Sequence, residues 1–76
     1  MEKNLLERIT INPKVMIGKP TIRGSRLTVE IILEKLAGGE TEDKILEDYP
    51  ILEREDIKAC LLYAAKSLSL TEILEV

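Results

Sequence analysis

Two interruptions, Gly38-Gly39 and Tyr49-Pro50, divide the C-terminal part of the chain into three segments with the apolar spacing of helices. Glycine adopts the left-handed conformation that ends a helix without strain, and a residue before proline is pushed out of the helical region. Each segment is therefore predicted to be a helix, and their short connections predict one compact unit. The expected fold is mainly α.

The first helix is predicted from Thr28 to Ala37. Thr28 is a good N-cap because its hydroxyl can accept a hydrogen bond from an unpaired backbone amide. Thr41 can cap a second, short helix in the same way, and that helix is expected to end by Tyr49-Pro50. The apolar residues of the first helix recur with helical spacing at Val29, Ile32, Leu33 and Leu36.

The third helix is predicted to open at Glu53 and to run to Ser67 as the longest amphipathic segment of the chain. After Ser67 the sequence fits either a strand or one last helical turn, in which Ser69 and Glu72 would form a capping box. Residues 68–76 form an apolar tail that needs a surface to lie on, either this core or a partner. The predicted buried face of the third helix consists of Ile57, Cys60, Leu61, Ala64 and Leu68.

Residues 1–27, here called the basic hook, are predicted to form short strands and turns. A strand from Arg8 to Ile11 should end at the Asn12-Pro13 turn signal. Val15 to Ile17 can form a second short strand, and Thr21-Ile22 can extend the chain again before Gly24. The hook thus precedes a three-helix unit, residues 28–67, and the tail, within a single domain of residues 1–76.

The core of this domain has to be aliphatic, because the only aromatic residues among the 76 are Tyr49 and Tyr63. A chain this short buries only about 60% of its unfolded surface. The resulting core is thin, and small domains often add stability by oligomerising. We therefore expect a homodimer.

Charge is distributed unevenly along the chain, although its net value is only -3. Residues 1–28 carry six basic and two acidic side chains, whereas residues 29–76 carry five basic and twelve acidic ones. This asymmetry indicates a basic arm that meets a polyanion, or acidic helices that meet a basic partner. Arg23 and Arg26 could each bind a phosphate through paired hydrogen bonds. They could equally pair with acidic residues of the same chain or of a dimer mate.

The sequence offers little to a catalyst. It has no histidine, and its single cysteine, Cys60, lies at an apolar helical position typical of a core residue. Glu42, Asp43, Glu47 and Asp48 could together hold a metal, but a solvated charged face is the commoner meaning of such a group of acids. We expect no enzyme, no cofactor and no metal. A lone cysteine and apolar runs of three or four residues favour a cytoplasmic protein without a membrane span.

Three helices with a short second and a longer third match a helix-turn-helix, in which the third helix enters the major groove of DNA. Any small helical bundle would show the same pattern. The acids at the start of the third helix disfavour phosphate contact, and helix-dipole capping explains them more simply. The candidate DNA-binding residues are Lys19, Arg23, Arg26, Thr28, Thr41, Arg54 and Lys58.

Several of these segments together resemble one known family. The stretch from Gly18 to Val29, followed by Gly39, Thr41, Tyr49-Pro50 and Glu55-Asp56-Ile57, is similar to the domain-of-unknown-function family 433 (DUF433), and the resemblance covers roughly residues 9–66. It implies a homeodomain-like three-helix fold. The family often has Ser or Thr where Glu53 stands, which predicts a weaker start of the third helix.

Members of that family are regarded as antitoxins, usually encoded beside a toxin with a PIN-like ribonuclease domain. The resemblance therefore implies an antitoxin that neutralises such a ribonuclease and represses its own operon by binding operator DNA. The alternative is a protein-binding module that neutralises its partner without contacting DNA. In either case we expect the tail to dock on the toxin through Leu68, Leu70, Ile73 and Leu74.

Overall fold

A computed structural model describes residues 2–72 of the chain, with side chains from residue 4 to residue 69. The described part is mainly helical, with four helices and one short two-stranded antiparallel sheet. Within residues 2–72, no helix combines the length and the apolar character needed to cross a membrane. The elements in chain order are α1 (Glu2–Leu6), β1 (Ile9–Thr10), β2 (Thr21–Ile22), α2 (Val29–Ala37), α3 (Glu42–Asp48) and α4 (Arg54–Glu72).

The sheet confirms two of the extended segments predicted in the basic hook. β1 pairs with β2 so that Ile9 faces Ile22 and Thr10 faces Thr21. The predicted strand from Val15 to Ile17 is wrong. That segment enters a tight turn, closed by a 3.0 Å hydrogen bond from the Gly18 amide to the Val15 carbonyl.

The caps of α2 and α3 match the sequence prediction. The Thr28 Oγ1 accepts the Ile31 amide at 3.1 Å, and the Thr41 Oγ1 accepts the Lys44 amide at 3.1 Å. Gly39 ends α2 with a φ of 97°, a left-handed value that side chains disfavour. Local signals therefore account for both helices.

The start of α4 is capped from inside the helix rather than by Glu53. The Asp56 Oδ2 accepts the Glu53 amide at 2.8 Å, which is the half of a capping box that the third helical residue supplies. At its other end α4 extends beyond Ser67 to Glu72, so the first turns of the tail are helical. The Ser69 hydroxyl donates to the Lys66 carbonyl at 2.9 Å within the helix instead of forming a capping box.

The buried face of α4 differs from the predicted one. Ile57 and Cys60 are fully buried as expected, but Leu61 and Leu68 are 46% and 62% exposed. The true face includes Asp56, Ala59 and Tyr63, and is rotated by about 90° at 100° per residue. Packing against α1, α2, α3 and β1 chooses this face.

The core is small and aliphatic, as the composition predicts. One cysteine joins it, and the two tyrosines only border it. The helix α1, which no sequence pattern predicted, packs on α4. The buried residues of the core cluster are Ile22, Val29, Ile32, Ile45, Leu52, Ile57 and Cys60.

Candidate functional surfaces

Two of the cations expected to bind DNA are paired with acids of the same chain. The Lys19 Nζ lies 3.0 Å from the Glu30 Oε1. Arg54 reaches back to the first turn of α3, 2.7 Å from Asp43 and 3.0 Å from Glu42. Hydrogen bonds to these acids raise the pKa of Arg54. Both charges are therefore largely compensated within the fold.

The two threonines proposed as DNA contacts act as helix caps. Thr28 is only 3% exposed, and its hydroxyl oxygen is engaged with the Ile31 amide. It has almost no surface to offer to a ligand. Thr41 is exposed, but its Oγ1 is occupied by the Lys44 amide at the start of α3.

Arg23 and Lys58 are brought together although 35 positions separate them in the chain. Both line an open cleft of about 340 Å³, beside Arg8 and between two acids, Glu7 and Glu55. The Arg23 Nη1 donates a long, 3.4 Å hydrogen bond to the Glu7 carbonyl. This cleft has mixed charge, so its cations alone do not define an anion site.

Arg26 lines a second, polar cleft of about 390 Å³ at the tip of the hook, together with Thr10, Asn12, Val15, Thr21, Gly24 and Ser25. Arg26 is the only charged residue of this cleft, and within the described part of the chain it makes no ion pair. The Asn12 Oδ1 accepts the Lys14 amide at 2.9 Å, which leaves the side-chain amide group of Asn12 free to donate. An exposed guanidinium, an amide donor and no carboxylate suit an anion.

Arg8, which the sequence did not single out, forms ion pairs with two acids at the start of α4. Its Nη1 lies 2.7 Å from the Glu53 Oε1 and 3.1 Å from the Asp56 Oδ1, and hydrogen bonds to Glu53 and Asp56 raise its pKa. Arg8 thus ties the end of the hook to the start of α4. It also neutralises two of the acids that would repel a phosphate there.

The acids considered as metal ligands form ion pairs, and the cysteine lies in the core. The acidic residues considered as metal ligands bind cations instead, since Glu42 and Asp43 hold Arg54, while Lys44 lies 3.2 Å from Asp48. Cys60 is fully buried. Its burial, and to a smaller extent the negative charge of Asp56, raises the pKa of its thiol to about 12.

An apolar groove of about 610 Å³ runs between α2 and the second half of α4, and no sequence pattern indicated it. Its floor and walls are Val29, Leu33, Ala37, Tyr63, Ala64 and Leu68, and its rim carries Lys19, Glu30 and Glu34. Of the predicted partner-binding residues, Leu68 lines this groove. Leu70 lies in the last turns of α4, and Ile73 and Leu74 fall outside the described residues.

Together the fold and these surfaces define a small, mainly helical domain with a short two-stranded sheet, a cationic polar cleft and an apolar groove. The sequence profile of the family described as "Protein of unknown function (DUF433)" matches residues 9–64. The chain belongs to this family.

Two further proteins are similar to the chain. The "Uncharacterized protein y4eO" of Sinorhizobium fredii (strain NBRC 101917 / NGR234) is 33% identical over 58 residues, which cover 76% of this chain and 26% of that protein. The chain thus spans about a quarter of the length of this relative. The crystal structure of a DUF433 member protein from Anabaena variabilis ATCC 29413 superimposes with a TM-score of 0.79 at 27% identity, covering 92% of this chain and 69% of the other.

Proposed function

We propose that the chain is the antitoxin of a type II toxin-antitoxin system, which contacts operator DNA and neutralises a PIN-like ribonuclease in the cytoplasm without a cofactor. The observation that carries the DNA half of the proposal is the polar cleft around Arg26. It presents a cation that no acid of the described chain compensates, beside the Asn12 amide. Backbone phosphates are the anions that such a cleft would meet on DNA.

The arrangement of the cations favours phosphate contact through the hook rather than base reading by α4. In a helix-turn-helix arrangement, α2, α3 and α4 would be the three helices, and the start of α4 would enter the major groove. Here that start carries Glu55, close to Arg8, and Arg54 is held by acids of α3. We therefore expect Arg23, Arg26 and Lys58 to position the protein on phosphates, with modest preference for sequence.

A salt titration with matched double variants tests this proposal. Arg23→Ala with Arg26→Ala removes two cations that make no ion pair within the described chain, whereas Lys19→Ala with Arg54→Ala removes two that are already paired in the fold. The first pair should flatten the dependence of log affinity on log salt by about two counterion units, and the second pair should leave the slope nearly unchanged. Equal slopes for the wild type and the first pair would contradict DNA contact by the hook.

The second candidate is a protein-binding module that neutralises its partner without touching DNA. The pairing of Lys19 and Arg54 within the chain favours this candidate, because it lowers the positive charge available to DNA. A wild type that shows no salt-dependent DNA binding at low ionic strength, yet still protects cells from the toxin, would establish it.

We assign toxin docking to the tail, residues 68–76. Leu68 projects from α4 with 62% of its surface exposed, more than a side chain of the core would show. At a concentration where the protein is monomeric, a chain cut after Ser67 should keep its melting temperature and its DNA affinity but fail to rescue cells from the co-expressed ribonuclease. Intact rescue would exclude the tail as the docking segment.

A lower melting temperature with every activity lost would show that the tail completes the fold instead. A matched control is Leu61→Ala, because Leu61 is an exposed leucine on α4 upstream of the tail. This variant should keep full rescue.

A further inference from the structure

The most unusual backbone of the molecule lies in the turn at Met16 and Ile17. Both residues have positive φ, 49° and 57°, and Gly18 follows at 78°. Left-handed backbone is costly for a β-branched residue. Ile17 gains no burial in return, since it is 94% exposed. The turn therefore holds an apolar side chain out in solvent at a cost to stability.

This protruding isoleucine stands beside the apolar groove. A shallow depression contains Met16, Ile17 and Ile31, and it shares four lining residues with the groove, namely Lys19, Thr28, Glu30 and Glu34. The protruding Ile17 side chain, here called the knob, and the α2–α4 groove thus lie next to each other on one continuous surface. A two-fold axis between them would bring the knob of each copy to the groove of the other.

The rim of the groove also suits a second copy better than a strongly charged partner. It carries both signs of charge, and the Lys19–Glu30 pair at 3.0 Å compensates one of its two acids. Two identical rims of mixed sign can approach each other without the repulsion that a uniformly acidic rim would create.

We propose that a second copy of this chain docks on this surface, with the Ile17 side chain of each copy inserted into the α2–α4 groove of the other. This symmetric exchange gives the strained turn a role, because the side chain that costs stability in the monomer becomes a buried anchor in the dimer. The contact needs neither DNA nor a toxin and is tested on the isolated protein; it shares Leu68 with the segment proposed to dock on the toxin, and the variants that test it leave Leu68 unchanged.

Sedimentation equilibrium of the isolated protein tests the proposal. The wild type should be a dimer at about 100 µM, well above a micromolar dissociation constant. Ile17→Gly removes the knob and relieves its backbone, and Ala37→Lys places a charge in the groove while its position in the last turn of α2 suits a cation. Each should raise the dissociation constant at least about a hundredfold, because two copies of the contact are lost.

Ile51→Gly is the matched control. Ile51 is 65% exposed in the α3–α4 connection and lines neither the groove nor the depression, so its removal should leave the dissociation constant unchanged. An equimolar mixture of Ile17→Gly and Ala37→Lys should associate more tightly than either alone, since the mixed dimer retains one intact knob and groove.

Three outcomes would overturn the proposal. They are a wild type that remains monomeric at about 100 µM, an Ile17→Gly chain that dimerises as well as the wild type, and an Ile51→Gly chain that dissociates as readily as Ile17→Gly. Thermal melting of Ile17→Gly distinguishes a lost contact from a lost fold, because this variant should melt no lower than the wild-type monomer.

Discussion

Replacing Ile17 with glycine should make the monomer more stable, although the substitution deletes a large apolar side chain. The side chain is 94% exposed, so its removal sacrifices almost no packing in the monomer. A φ of 57° costs a residue with a side chain about 1–2 kcal/mol. Glycine avoids this cost but loses about 0.5–1 kcal/mol more backbone entropy on folding.

The net gain is about 0.5–1 kcal/mol, which corresponds to a rise of about 2–8 °C in the melting temperature of a domain of this size. Two further variants separate strain from side-chain loss. Ile17→Ala keeps the strain and should give no such rise, whereas Ile17→Asn, which tolerates left-handed backbone, should fall between alanine and glycine.

The assay is thermal melting followed by circular dichroism at about 1 µM and about 100 µM, since the stabilisation of a dimer grows with the logarithm of protein concentration. At the lower concentration the order should be glycine, asparagine, then alanine. At the higher concentration the wild type should gain stability that Ile17→Gly does not. A glycine variant that melts no higher than the alanine variant at about 1 µM would refute the argument from backbone strain.

Three further predictions concern the fold. Gly39→Val should lower the melting temperature more than Gly38→Ala, because Gly39 has a φ of 97° whereas a Cβ at Gly38 would meet the Glu34 and Lys35 carbonyl oxygens at 3.4 and 3.6 Å; equal midpoints would contradict this explanation of the turn. Asp56→Ala removes the cap of α4 together with the ion pair to Arg8 and should cost about 1–2 kcal/mol in urea unfolding, whereas Asp48→Ala, which loses only an exposed ion pair, should change little. A similar loss in both variants would show that the cap is unimportant. Burial raises the pKa of the Cys60 thiol to about 12, so the thiol loses its proton more easily in the unfolded chain. The free energy of unfolding should therefore be unaffected by this group below about pH 8.5 and should fall as the pH rises from there towards 12. Cys60→Ala should show a smaller decline in its denaturant midpoint over that range, and an identical decline in both proteins would contradict the assignment.

Local sequence signals were sufficient for α2 and α3. Threonine at the start, glycine at the end and proline after Tyr49 each act on their own few residues, so their effect can be read without knowing what packs nearby. The same holds for Ile22, whose short extended segment was expected and is observed. The family resemblance likewise depends on such glycine, threonine and proline positions, and the match of the family profile to residues 9–64 confirms the resemblance.

Long-range packing decides what these signals leave open. The helix α1 is too short for a pattern and depends on its contact with α4, and the same contact helps to turn Asp56 and Ala59 inward while Leu61 faces solvent. Similarly, Arg54 is an ordinary surface cation in the sequence, and only the approach of α3 to α4 places Asp43 within 2.7 Å of it.

The candidate surfaces follow the same division. The amino-acid order is enough to show a basic hook, an aliphatic core and the ends of two helices, because each of these depends on composition or on neighbours within one turn. Which cations keep an uncompensated charge, and where an apolar groove opens, depends on residues tens of positions apart, such as Arg23 with Lys58 or Leu33 with Leu68. Ion pairs and burial are properties of such distant pairs, so they exist only once the helices have packed.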